Sequence, residues 1–220
     1  MSQAPGFLSS SIGRKVVMAV TGAILVVFVV GHMIGNLQVF LGPEALNHYA
    51  VFLRQFLHGA GLWIVRAVLL VAVVLHIWTA TSLTLESRRA RSEGYRERQW
   101  RESTYASRTM RWGGVIILLF VIYHLLHFTT GTVHPDFIEG DVYHNFVRAF
   151  QSVPVSLVYI FAMIALGLHL RHGVWSMFQT LGVSHPRYIA FAHALAWAVA
   201  IIVVVGNISF PVAVLAGIVK

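Results

Sequence analysis

Cysteine is missing from all 220 positions of the chain. Without thiolates the chain can form no disulfide, hold no cysteine-ligated iron–sulfur cluster and attach no c-type haem covalently. It also lacks a glycine-rich dinucleotide fingerprint of the GxGxxG kind. Any redox centre in this chain must therefore be bound non-covalently through other ligands.

Charged residues are scarce, at 11% of the chain against 57% hydrophobic residues. That leaves too little polar surface to cover a water-soluble protein of this size. The net charge is +8, but the basic residues lie between apolar runs and form no long basic stretch, so we expect no nucleic-acid partner. The composition is typical of an integral membrane protein in contact with lipid.

Five apolar runs are each near the length of about 20 residues that crosses a bilayer as a helix. We therefore predict an all-α membrane protein, with one transmembrane domain over 1–220 built as a five-helix bundle. The fifth apolar run continues past about Asn207 to Pro211, where the span is expected to end and a short interfacial tail to begin. Between the first two spans, Glu44 to Leu57 predicts an amphipathic helix on the outer surface. The predicted spans are about 16–41, 62–85, 112–130, 153–170 and 188–207.

The charges between the spans predict the orientation of the bundle. Arg14 and Lys15 precede the first span, whereas the connection between spans three and four is acidic. By the positive-inside rule the N-terminus is cytoplasmic and the C-terminus is outside, in a multi-pass protein of a bacterial inner membrane. The basic cluster between spans two and three is either topogenic or a docking face, and comprises Arg88, Arg89, Arg91, Arg96, Arg98, Arg101, Arg108 and Arg111.

Histidine is the abundant ionisable residue, with 12 copies. An ionisable residue inside a span is costly and is by default a functional candidate. Given the predicted orientation and a rise of about 1.5 Å per residue, His32 and His124 share an outer level of the bilayer, and His76 and His169 share an inner level. Two histidines on facing helices are typical ligands of a b-type haem that transfers electrons. The levels predict two haems, although for any single histidine a hydrogen bond within the bundle is the simpler interpretation.

Other polar residues near these levels have competing interpretations. His127 and His172 each follow a histidine by three residues on nearly the same helix face, so spacing alone leaves the choice of ligand open. As the more peripheral members, they suit the water interface, a haem propionate or a quinone carbonyl. Arg66 and Arg171 are candidate propionate partners, although snorkelling to lipid headgroups explains them equally well. Neighbouring glycines would admit a flat macrocycle, but helix packing is their commoner use: Gly31, Gly35, Gly167 and Gly173.

Three local strings are more specific: SSIGRK at 10–15, HMIGNLQ at 32–38, and HLRHGVWS at 169–176 followed by QTLG at 179–182. Together they resemble the cytochrome b subunit of five-helix, two-haem succinate dehydrogenases, a family that includes the membrane subunit of related fumarate reductases. The resemblance covers essentially the whole chain. It implies that the axial ligands are His32, His76, His124 and His169.

The resemblance also implies partners and cofactors. The chain would anchor, on the cytoplasmic side, a flavoprotein subunit with covalent FAD and an iron–sulfur subunit that together oxidise succinate to fumarate. It would itself pass electrons through two haem b to a membrane quinone, as in respiratory complex II of the tricarboxylic acid cycle. We expect menaquinone rather than ubiquinone, and homo-oligomers of such complexes are a further expectation.

The quinone site and the direction of electron flow stay open at this point. A quinone oxygen needs a polar donor beside an apolar slot, for which Glu44 outside, and Ser11, Arg14 and His172 inside, are candidates. No Asp or Glu lies in a predicted span, so a transmembrane carboxylate path for protons is doubtful. The alternatives are a quinol:fumarate reductase anchor, the diheme b subunit of another quinone-linked dehydrogenase, and a haem-free structural anchor or transporter.

Overall fold

A computed structural model of the chain describes residues 6–89, 105–183 and 185–220, and within 105–109 the backbone alone. This part of the chain is helical and contains no β-strand. It includes five helical stretches long and apolar enough to cross a membrane, which confirms the prediction of an all-α membrane protein with five spans. The α-helices there are α1 (Ser11–Asn36), α2 (Pro43–Gln55), α3 (Ala60–Arg89), α4 (Tyr105–His124), α5 (Val142–Phe150), α6 (Val153–Thr180) and α7 (Pro186–Leu215).

The spanning helices extend beyond the apolar runs that predict them. The first begins with a cap, because the Ser10 hydroxyl accepts the Gly13 backbone N–H at 3.0 Å. The third, α4, continues past His124 as a single π-helical turn, Leu125–Thr129. Such turns are rare and often occur at functional sites.

The fifth spanning helix, α7, differs from the prediction at its C-terminal end. It runs through Pro211 to Leu215 instead of ending at Pro211. A proline inside a helix costs about 3 kcal/mol because its backbone donates no hydrogen bond. Here Pro211 is buried, and its neighbours Phe210 and Val214 pack in a core cluster with α5. That burial offsets the cost of the proline.

Two short helices cover one end of the bundle. The predicted amphipathic helix is present as α2, whereas α5, in the connection between α4 and α6, is not predicted. The Asp141 carboxylate caps α5 by accepting the His144 backbone N–H at 3.0 Å. The apolar side of α5 is buried with Leu46 of α2 and Val219 near the C-terminus. We call this end the outer end, following the predicted orientation, and the end that carries the N-terminus the inner end.

The spanning helices pack in pairs. α1 packs against α3, α4 against α6, and α6 against α7, while α1 also contacts α6 and α7. Among the described residues, neither α1 with α4 nor α3 with α6 makes an extensive backbone contact. The intramembrane histidines lie on these four helices, so they are placed where the helices face each other across a gap.

Candidate functional site

The outer histidine pair joins α1 to α4. The rings of His32 and His124 have centroids 5.8 Å apart and planes inclined at 87°. His32 also stacks on Phe28, one helical turn away, with centroids 5.4 Å apart. Phe120 and Phe128 lie beside His124 at 5.9 and 5.6 Å. The outer pair therefore lies among aromatic rings.

The inner pair joins α3 to α6. The centroids of His76 and His169 are 6.4 Å apart, with the planes at 62°. Each ring lies close to a glycine of the helix that packs beside it. A Cβ added at Gly22 would lie 3.3 Å from His76 Cε1, and one at Gly114 would lie 3.9 Å from His169 Cε1. The two glycines let both rings lie against helix backbones.

Both ring separations fit a metal held between two imidazoles. A metal–imidazole bond is about 2 Å long, which places the centroids of two opposed rings about 6 Å apart. No group of three or more His, Asp or Glu in the described ranges could hold a metal ion by itself. Two histidines supply two ligands, and this donor set suits a b haem, whose macrocycle would supply the other ligands of the iron.

Hydrogen bonds orient one histidine of each pair. The Thr21 hydroxyl lies 3.2 Å from His76 Nδ1 and donates its own proton to the Val17 carbonyl at 2.7 Å. Its oxygen is thus free to accept the His76 N–H, which leaves Nε2 for a ligand. At the outer level the Tyr159 hydroxyl lies 3.4 Å from His124 Nδ1. Neither Thr21 nor Tyr159 is predicted from the sequence.

The other two histidines are less constrained. The Asn36 side-chain nitrogen lies 3.3 Å from His32 Nε2, so coordination through that atom requires this amide to turn away. His169 Nδ1 is buried and has no hydrogen-bond partner in the described part of the chain. An orphaned buried nitrogen carries a free-energy cost.

The second histidine of each i, i+3 pair lies elsewhere. His127 is fully buried, rather than at the water interface, and its Nδ1 lies 3.0 Å from the Tyr159 hydroxyl. His172 is half-buried on α6, which continues well past it. The structure therefore corrects the expectation that His127 is peripheral, because the π-helical turn points it into the aromatic core.

The candidate propionate partners contact tryptophans. The Arg171 guanidinium lies 4.0 Å from the centroid of the Trp197 ring on α7, and that of Arg66 lies 4.9 Å from the ring of Trp63. The Arg171 contact links α6 to α7, and the stack of Trp175 on His193 at 3.7 Å does the same. Cation–π contact of this kind is compatible with a role at the membrane interface.

The glycines that flank the predicted ligands divide into two kinds. A Cβ at Gly35 would strike Tyr49, and one at Gly167 would strike Val204, so these two permit close helix packing. A Cβ at Gly31 or Gly173 would meet no described atom within 4 Å. Of these four glycines, Gly31 and Gly173 are therefore the ones beside which a flat macrocycle has space.

Of the inner candidates for quinone contact, Arg14 lines a cavity of about 600 Å³, whereas Ser11 and His172 do not. It is lined by Ser9, Arg14, Ser82, Leu85, Glu86 and Arg89. Arg14 forms an ion pair with Glu86, which joins α1 to α3, and its Nε is buried without a partner among the described residues. Ser11 is exposed at the start of α1.

The described structure assigns no binding site to Glu44 or to the basic cluster between the second and third spans. Glu44, the outer candidate, lies exposed in the first turn of α2. In the basic cluster, Arg91, Arg96, Arg98 and Arg101 lie outside the described residues, and only the backbone is described at Arg108.

The family model for the succinate dehydrogenase/fumarate reductase transmembrane subunit matches residues 86–206, which include His124 and His169. The chain belongs to this family. The transmembrane subunit is thus a multi-pass component of succinate dehydrogenase or fumarate reductase complexes, and membership implies association with their flavoprotein and iron–sulfur subunits. Comparison with curated proteins finds no match, and comparison with solved structures finds none either.

Proposed function

We propose that this transmembrane subunit binds two b haems and is the electron-transferring anchor of a succinate:quinone oxidoreductase. The observation that carries the proposal is the geometry of the two histidine pairs. Each pair joins helices that do not otherwise pack together, at a ring separation suited to bis-imidazole ligation. Haems bound there would supply one-electron transfer between the iron–sulfur subunit and a membrane quinone.

The residues of this chain hold and shield the two sites. His32 and His124 would ligate the outer iron, and His76 and His169 the inner iron. Two imidazoles leave no open position for oxygen, so the sites favour electron transfer over oxygen chemistry. Phenylalanines surround the outer pair, and helix backbones lie against the rings of the inner pair. Hydrogen bonds to the ligand imidazoles would tune the metal.

The inner cavity favours Arg14 over Glu44 as the quinone contact, and Ser11, just before Arg14 on α1, remains a candidate. A quinone carbonyl needs a donor beside an apolar slot, and Arg14 supplies several donors where the cavity opens between α1 and α3. Menaquinone is the quinone that we propose. His172, on the neighbouring α6, remains a candidate for a quinone or a propionate.

The decisive experiment uses the complex with its flavoprotein and iron–sulfur subunits. Succinate should reduce two b haems in the native complex. His76→Ala or His169→Ala should remove one haem and slow quinone reduction strongly, while succinate oxidation with an artificial acceptor continues. If either variant keeps both haems, the inner pairing is wrong. Two haems that ignore succinate would instead indicate another quinone-linked dehydrogenase.

The assignment of the quinone site has its own test. Arg14→Gln should raise the KM for a menaquinone analogue, whereas Glu44→Gln should leave it unchanged. Glu86→Gln is the matched control, because it breaks the ion pair of Arg14 but keeps the guanidinium. A KM raised equally by Glu86→Gln would assign the effect to the ion pair and would contradict a direct contact from Arg14.

A further inference from the structure

We infer that Tyr159 and His127 are positioning residues of the outer haem: together they form a hydrogen-bonded chain that orients His124 and sets its electron donation to the iron. This inference rests on the proposed function, because it requires His124 to be a haem ligand. It concerns two residues that neither the family resemblance nor the sequence pattern assigns.

The hydrogen-bonded contacts from His124 through Tyr159 to His127 are short and lie in the interior of the bundle. The Tyr159 hydroxyl on α6 lies between two histidines of the neighbouring span, 3.4 Å from His124 Nδ1 and 3.0 Å from His127 Nδ1. His127 is fully buried and Tyr159 is 7% exposed. A buried tyrosine hydroxyl normally finds a polar partner, and here two imidazoles compete for its single proton.

If His124 is a ligand, the atom that carries each proton of His124, Tyr159 and His127 can be assigned. If Nε2 of His124 binds the metal, its Nδ1 carries the proton and donates it to the Tyr159 oxygen. The Tyr159 hydroxyl must then donate to His127 Nδ1, which has to accept. The proton of neutral His127 is consequently on Nε2, a buried atom that has no acceptor among the described residues. The Tyr159 hydroxyl then accepts one hydrogen bond and donates one.

Packing prevents His127 from leaving this arrangement. Its ring stacks on that of Tyr123 with centroids 5.2 Å apart. The ring centroids of Phe128 and His134 lie 4.7 and 5.0 Å from that of His127. His134 is fixed in turn, because its Nε2 lies 2.8 Å from the Asn145 carbonyl and its Nδ1 accepts the Asp136 backbone N–H. The π-helical turn Leu125–Thr129 brings His127 to this place.

The inner site provides a contrast. There Thr21 accepts from His76, but its hydroxyl proton goes to a backbone carbonyl of its own helix. At the outer site the tyrosine proton goes to an imidazole, which makes the Tyr159 oxygen a better acceptor. Stronger acceptance at Nδ1 makes the ligand more basic, which stabilises the oxidised metal. Loss of the Tyr159 hydroxyl should therefore change the redox equilibrium of the outer haem and leave that of the inner haem unchanged.

The test is Tyr159→Phe in the intact complex, with Tyr123→Phe as the matched control. The control removes a hydroxyl from a ring that packs on His127 and Tyr159 but makes no hydrogen bond to either. At a fixed ambient potential, Tyr159→Phe should raise the reduced-to-oxidised ratio of the outer haem about three- to tenfold. It should also shift one of the two low-spin EPR signals, while the inner haem and the control stay at wild-type values.

The outcomes separate this inference from the proposed function. A wild-type complex without two haems would overturn both. Two haems in Tyr159→Phe with unchanged ratios and EPR signals would overturn the inference alone. If Tyr159→Phe loses the outer haem, His127→Phe decides, since it leaves the contact of Tyr159 with His124 in place. If His127→Phe raises the reduced-to-oxidised ratio of the outer haem by a smaller factor, the result supports the hydrogen-bonded chain of His124, Tyr159 and His127. An unchanged ratio contradicts it.

Discussion

Asp141 connects two helices of the outer end through one carboxylate oxygen. That oxygen accepts the His144 backbone N–H and the Asn47 side-chain N–H, each at 3.0 Å. Asn47 in turn accepts the Tyr143 backbone N–H, so two hydrogen bonds join α2 to the start of α5, beside the cap within α5. These donors, led by the His144 N–H, hold the pKa of Asp141 below its usual range.

Asp141→Ala should lower the stability of the purified subunit by about 1 kcal/mol, because the helix loses its N-cap. Thermal unfolding in detergent, followed by circular dichroism, measures the loss. Glu139→Ala is the control, since Glu139 is an exposed acidic residue of the same connection. Equal unfolding temperatures for Asp141→Ala and the wild type would contradict the cap.

The pH dependence of that difference follows from the sign of the pKa shift. A carboxylate whose pKa is lowered by folding stabilises the fold above its unfolded pKa and loses this effect as the pH falls through the folded value. The difference in stability between the wild type and Asp141→Ala should therefore be constant near neutral pH and become smaller below about pH 3.9. A difference that grows on acidification would contradict this.

Residue-level detail of the site could be predicted only in part. The depths of His32, His76, His124 and His169 follow from spacing, because a helix has a fixed rise per residue. Thr21 and Tyr159 could not be assigned to histidines, because that requires the rotation of each helix about its axis. A tyrosine inside an apolar span is nonetheless a signal, since its hydroxyl needs a partner.

At the scale of elements, the five spans are predictable because lipid demands long apolar helices. The helix α5 is not, although Asp141 followed by apolar residues at helical spacing is an N-cap signal. The end of α7 is mispredicted because local proline chemistry is outweighed by burial against α5. Tertiary packing therefore decides the features that local patterns miss.

Helix packing between α6 and α7 should depend on Gly167. A side chain there would strike Val204, so Gly167→Val should destabilise the subunit by about 1–3 kcal/mol through overpacking. The control is Gly113→Val on α4, where a Cβ meets no described atom within 4 Å. Thermal unfolding of both variants in detergent makes the comparison. Equal losses would show that Gly167 has no special packing role.

At the scale of the whole molecule, the absence of cysteine allows a direct test of orientation. Glu139→Cys lies in the connection between α4 and α6, and Val183→Cys in the connection between α6 and α7. In intact bacterial spheroplasts, a membrane-impermeant maleimide should label the first variant and not the second. Permeabilised membranes should label both. The reverse pattern would place the N-terminus outside and contradict the proposed cytoplasmic docking of the soluble subunits.

The central claim is that two specific histidine pairs each hold one b haem. The most direct measurement is the number of haems per chain, by pyridine haemochrome, in two double variants. His32→Ala with His124→Ala removes both ligands of one site and should leave one haem. His32→Ala with His76→Ala damages both sites and should leave none. One haem in the second variant and none in the first would contradict the pairing, and a wild-type chain without haem would contradict the whole account.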